Sequence, residues 1–146
     1  MNEIFAAMVA GISAGGIMLF LSHVAPYFKA GNFVRDLDQP VMFGKIVTKR
    51  EAHLVGILTF IVISAVFGGL FGLLVQMNVV AGFQFLPIII WSLILTLVYG
   101  GIILPLEGHG FFGLKEDAWF PVDLVITNFL WAVLFWQIAS LLINIK

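Results

Sequence analysis

The stretch AHLVGILTFIVISAVFGGLFGLLVQMNVVAGFQFLPIIIWSLILTLVYGGIILPL, residues 52–106, is the longest charge-free run in the chain. It contains no Asp, Glu, Lys or Arg, and His53 is its only imidazole. A helix needs about 20 apolar residues to cross a hydrocarbon core of ~30 Å. The stretch is therefore too long for one crossing and fits two joined by a tight turn. Gln76, Asn78, Gly82 and Gln84 mark that turn. The second span is expected over 49–76 and the third over 83–104, where Pro105 is expected to stop it. Pro87 then falls in the first turns of the third span, where proline is tolerated.

Toward the N-terminus, residues 4–28 carry no formal charge and predict a first span over 4–27, with Ser22, His23, Pro26 and Tyr27 at the interface. A secretory signal is not expected, because Glu3 stands in place of a basic leading segment and the apolar run is too long. The fourth span is expected over 120–145, with Pro121 in its first turn. Thr48-Lys49-Arg50-Glu51 matches a capping box, so the second helix starts just before its apolar region. A short interfacial helix could form within 29–47. The fold class expected is all-α: a polytopic integral membrane protein, one four-helix bundle over residues 1–146 without an internal repeat or linker.

Composition points the same way. Of 146 residues, 62% are hydrophobic and 10% are charged, against about 25% charged in soluble domains. A soluble chain of this length would leave much of that apolar surface in water. The net charge of −1 gives no reason to expect a nucleic-acid partner. With no cysteine, disulfides, thiolate metal sites and thiol redox chemistry are excluded.

Helices in lipid associate through close packing, which small residues permit. Ala7, Gly11 and Gly15 repeat at four-residue spacing in the first span, and Ser64, Gly68 and Gly72 in the second. The two ridges are expected to face each other, the alternative being a contact between copies. In the fourth span Trp131, Phe135 and Trp136 are expected to pack in the core or face lipid, with Ala132 and Ala139 on one face.

Six of the seven Lys/Arg, namely Lys29, Arg35, Lys45, Lys49, Arg50 and Lys115, lie in the loops 29–50 and 105–119. The positive-inside rule then predicts a cell membrane protein with cytoplasmic loops and both termini outside. Trp119 and Tyr27 suit an interfacial aromatic belt.

No Asp, Glu, Lys or Arg falls near the middle of a span, whereas ion and proton pathways usually need one. A polar stripe of Thr96 and Tyr99 opposite Asp123, Thr127 and Asn128 is the candidate ligand-binding feature, with Ser92 and Gln137 nearby. Asp123 also suits a helix N-terminus for electrostatic reasons alone. His23, His53 and His109 all fall at the loop end, together with Glu107, Glu51, Asp117 and Asp123. His and carboxylate ligands suit zinc, iron or manganese, so His23, His53, Glu107 and His109 are the candidate ligands of a transition metal. An ordinary polar rim is the competing expectation. His23 and His53 could also ligate a b-type haem if they faced each other across the bundle. Gly108-His109-Gly110-Phe111-Phe112-Gly113 is a flexible turn that can dip its aromatics into headgroups. It is not a phosphate loop, and no G-x-S-x-G nucleophile signature occurs.

His53-Leu54-Val55-Gly56, the run Val66-Phe67-Gly68-Gly69-Leu70-Phe71-Gly72, and a third helix ending in Pro105 before the Gly-His-Gly-Phe-Phe-Gly loop resemble the small four-helix bacterial and archaeal membrane proteins of the YagU-like type. The resemblance implies the four-helix architecture and carries no site residue. Three functions are expected from the chain as a whole. The first is a non-enzymatic accessory or scaffold subunit of a membrane complex, or a small homo-oligomer. The second is a small-solute transporter or channel using the polar stripe. The third is a metal-binding protein or enzyme at the loop-side rim.

Overall fold

Backbone N–H and C=O groups in hydrocarbon must be satisfied within the protein, which leaves the helix as the natural form for these uncharged segments. The structure is a computed structural model and describes residues 2–24, 41–42 and 45–144. Among the described residues four helices are long and apolar enough to cross a membrane: Glu3–Val24, His53–Gln76, Phe85–Glu107 and Phe120–Ile143. The elements are α1 (Glu3–Val24), β1 (Val41–Met42), β2 (Lys45–Ile46), α2 (Lys49–Gln76), α3 (Phe85–Val98), α4 (Leu104–Glu107) and α5 (Phe120–Asn144). β1 and β2 form a two-residue antiparallel pair, Val41 opposite Ile46 and Met42 opposite Lys45. The expected ends of the first and last spans, residues 25–27 and 145, lie outside the described residues. So does most of the 29–47 segment, with Lys29, Arg35, Asp36 and Asp38.

α2 starts where its cap dictates. The Thr48 N–H donates to Glu51 Oε2 at 3.0 Å, and the Glu51 N–H donates to Thr48 Oγ1 at 3.3 Å. At its other end Asn78 takes a positive φ of 58°, a conformation asparagine tolerates better than most residues. Pro87 sits in the first turn of α3 and Pro121 is the second residue of α5.

The third span corrects one expectation: Pro105 does not stop it. A π-helical turn over Tyr99–Ile103 joins α3 to α4, so the helix runs on to Glu107. An interior proline lacks an N–H and its ring crowds the carbonyl four residues earlier. Widening the preceding turn shifts the hydrogen-bond ladder, with Leu104 N–H donating to the Tyr99 carbonyl, and Pro105 falls at the start of the restarted helix.

α1 and α2 form the closest pair, α1 also packs on α5, and α5 packs on α3. The α1–α2 seam is antiparallel. A Cβ on Gly11 would overlap the Ser64 carbonyl oxygen, and one on Gly68 would overlap that of Ala7. A Cβ on Gly15 would lie 2.8 Å from Ser64 Oγ, and one on Gly72 would lie 2.8 Å from the Ala7 Cβ. Across the bundle, Ala10, Ala14, Phe67, Phe71, Ile88, Leu95, Trp131, Ala132, Phe135 and Ala139 belong to one buried core. Trp131 and Phe135 stack with centroids 5.0 Å apart, whereas Trp136 is half-buried against Phe85. Facing outward, Leu54, Leu58, Val62, Val66 and Leu70 expose a continuous apolar stripe along α2. Such a stripe is at home in lipid and would be a liability in water.

Candidate functional site at the loop-side rim

At the end of α4 the chain turns sharply and folds back on its own helix. Gly108, at φ 96°, supplies the left-handed residue that closes the helix. The His109 N–H donates to the Leu104 carbonyl at 2.9 Å and the Gly108 N–H to that of Pro105 at 3.1 Å. Gly110 and Gly113 follow with positive φ, and between them Phe112 is held at φ 53°, ψ 25°. An aromatic residue in that region is a true outlier, and such strain persists only where the surroundings impose it. Here they do. The Phe112 ring lies where a Cβ on Gly100 would be, inside the π-turn, and the Phe120 ring lies where a Cβ on Gly113 would be. Tyr99 and Phe112 pack against the buried cluster of Leu104, Phe120 and Leu124.

This folding buries His109, which is 3% exposed. Its Nδ1 lies 3.0 Å from Glu116 Oε1 and its Nε2 lies 3.9 Å from Glu107 Oε2. A carboxylate can only accept, so Nδ1 carries the hydrogen toward Glu116. That leaves Nε2 facing Glu107. The backbone closes the same loop: Lys115 N–H donates to the His109 carbonyl at 3.3 Å. The imidazole is thus oriented by one carboxylate and faced by another. It also works as a clasp, tying residues seven apart across the loop.

The four candidate metal ligands divide into two pairs. Glu107 and His109 lie in this clasp. His23 and His53 meet elsewhere on the rim, with Nε2 atoms 3.3 Å apart and ring centroids 5.2 Å apart. Among the described residues no group of three or more His, Cys, Asp or Glu is placed to hold a metal.

The polar stripe between the third and fourth spans is partly spent on itself. Asn128 Nδ2 donates to Thr96 Oγ1 at 2.9 Å, and both residues are buried. The Thr96 hydroxyl in turn donates to the Ser92 carbonyl at 2.9 Å. Tyr99 begins the π-turn, Asp123 is exposed in the first turn of α5, and Thr127 is half-buried.

Sequence reasoning passed over Glu116, which completes the clasp, and the π-turn, for which the pair Gly100-Gly101 beside Tyr99 was the available signal. It also gave no role to Trp91, whose Nε1 donates to the Phe67 carbonyl at 3.1 Å. Comparison with protein-family models, curated proteins and solved structures returns no match.

Proposed function

We propose that this chain is an accessory subunit of a larger assembly in the cell membrane, engaged through its loop-side rim. The observation that carries the reading is the strained, clasped loop. A loop meant only to connect two helices has no need of an aromatic residue at positive φ or a buried histidine between carboxylates. What this construction does is fix Phe111, 62% exposed, together with Leu114 and Trp119, in a set geometry on the rim. A rigid apolar surface beside polar groups is the kind of patch that binds a partner with little ordering cost.

Two observations weigh toward a subunit rather than a solute pathway or a simple self-associating bundle. Thr96 and Asn128 satisfy each other across the α3–α5 contact. The small-residue ridges that could pair two copies lie against each other within one chain. The bias of basic residues toward the loops supports placing the rim in the cytoplasm and both termini outside.

The test uses mild-detergent extracts of the native membrane. The chain should migrate well above the size of a single protomer, and Phe111→Ser with Leu114→Ser should release it. Wild-type protein running as a lone protomer, or a complex untouched by the double substitution, would overturn the reading. Because the chain has no cysteine, a single Cys placed at Phe111 or at Asn2 reports sidedness by reaction with an impermeant maleimide. Labelling of the Phe111 position from the outer face would reverse the orientation.

A further inference from the structure

We propose that His23 and His53 form a binding site for a divalent transition-metal ion of the zinc–copper class, joining the end of α1 to the start of α2. This goes beyond the subunit reading and does not depend on it.

The two Nε2 atoms stand 3.3 Å apart. Zinc–imidazole bonds are about 2.0–2.1 Å long, so two nitrogens at neighbouring corners of a tetrahedron are about 3.3–3.4 Å apart. The pair already has the spacing of one edge of such a site. Two nitrogens on opposite sides of a haem iron would instead be separated by twice the bond length, roughly 4 Å, with the ring system between them. The observed 3.3 Å is nearer the tetrahedral edge than that separation.

The outer partner of His23 is in place as well. Its Nδ1 lies 2.9 Å from the Leu19 carbonyl oxygen. A carbonyl cannot donate, so Nδ1 carries the hydrogen and neutral His23 presents the lone pair of Nε2 toward His53. Metal-bound histidines almost always make this kind of bond through the second ring nitrogen, because it fixes tautomer and ring orientation. Without metal, the 3.3 Å contact is held by one hydrogen on His53 Nε2. On binding, the ion takes that position and His53 carries its proton on Nδ1 instead, so the neutral pair changes tautomer with no net proton release.

Both imidazoles are exposed, so the site is open to ions from solution. Among the described residues no third His, Cys, Asp or Glu joins them. Imidazole suits zinc, copper, nickel and iron, with affinity highest for copper along that series.

Untagged protein, stripped with chelator and returned to lipid nanodiscs, is titrated with Zn²⁺ against a chromophoric competitor. One ion per chain is expected. Binding should weaken by about tenfold or more in His23→Gln and in His53→Gln, and stay within about twofold in His109→Gln. Circular dichroism confirms that each variant is folded. With Cu²⁺, electron paramagnetic resonance should show two equatorial nitrogens in the wild type and one in either single variant. Absence of stoichiometric binding, or binding and nitrogen count unchanged by the His23 and His53 substitutions, would overturn the site.

Discussion

Gly11 and Gly68 in the α1–α2 seam keep helical backbone conformations and contribute only the absence of a side chain. Gly108, Gly110 and Gly113 in the rim loop contribute positive φ, and Gly113 also makes room for a ring. The seam glycines are opposed by backbone carbonyls of the neighbouring helix, which cannot swing aside. In the loop, a Cβ on Gly110 would meet the Lys115 side chain and one on Gly113 the Phe120 ring, and at all three positions the positive φ disfavours any other residue. The same residue type thus protects a long-range contact in one region and a local fold in the other. Substitutions should separate the two, globally destructive in the seam and locally disruptive in the loop.

The largest effect is expected from Gly68→Val or Gly11→Val. Each would drive a branched side chain into backbone, and the seam would open at a cost of about 3 kcal/mol or more. Unfolding in mixed micelles, followed by circular dichroism, measures it. Gly16→Ala and Gly56→Ala are the controls, since a Cβ at either meets nothing within 4 Å. These should leave stability unchanged or raise it by up to ~1 kcal/mol. A seam variant as stable as the controls would break the distinction.

Next in size is Gly113→Ala. The residue sits at φ 71°, and the added Cβ would meet the Phe120 ring, so about 1–3 kcal/mol is expected. The loss should stay local. Hydrogen exchange should speed up over residues 108–117, including the His109 N–H, while the α1–α2 amides keep their protection. Loss of protection in both regions together would show that the loop and the seam are one cooperative unit.

How much of this was legible in the sequence follows from the range of the interactions. The four spans could be read from charge-free length, and the start of α2 from Thr48 and Glu51, because lipid solvation and capping act on neighbouring residues. Four-residue spacing picked out Gly11, Gly15, Gly68 and Gly72, though it could not say which atoms each would meet. The rim was harder. Proline's local rule ended the third span at Pro105, while a π-turn five residues long carried the helix past it. His23, His53, Glu107 and His109 were recognisable by residue type and shared side. Their division into two pairs depends on how α1 meets α2 and how the loop folds onto the π-turn, and no local pattern encodes either. Glu116 is a partner of His109 only once three positive-φ residues, Gly110, Phe112 and Gly113, have turned the chain back.

A smaller effect is expected where the third and fourth spans meet. Interhelical hydrogen bonds in membranes are worth about 0.6 kcal/mol on average and up to ~1.7. The buried Asn128–Thr96 bond should fall in that range. A double-mutant cycle of Asn128→Leu and Thr96→Val isolates it from the packing changes each substitution makes. A coupling of zero would mean that this contact, like the glycine seam, holds by shape alone.

The smallest effect separates seam from rim by pH. Glu51 is fully exposed, and its carboxyl is held below the ordinary value of 4.5, first by the Thr48 backbone N–H and then by the Thr48 hydroxyl. A carboxyl with a lowered folded-state pKa stabilises the fold above its unfolded value, and that contribution disappears as pH falls through the folded one. The start of α2 should therefore loosen only below about pH 4.5, whereas the Gly11–Gly68 contact, built from backbone and bare glycine, should not respond. Thr48→Ala removes the hydroxyl but keeps the N–H, so the Glu51 pKa should move part of the way back. Thr48→Pro removes both, and φ −67° at that position already suits proline. In that variant the carboxyl should titrate near its ordinary value, as read from its ¹³C shift. If Glu51 kept its lowered pKa there, the cap would not be what holds it, and the pH response of the rim would have to come from other charges around it.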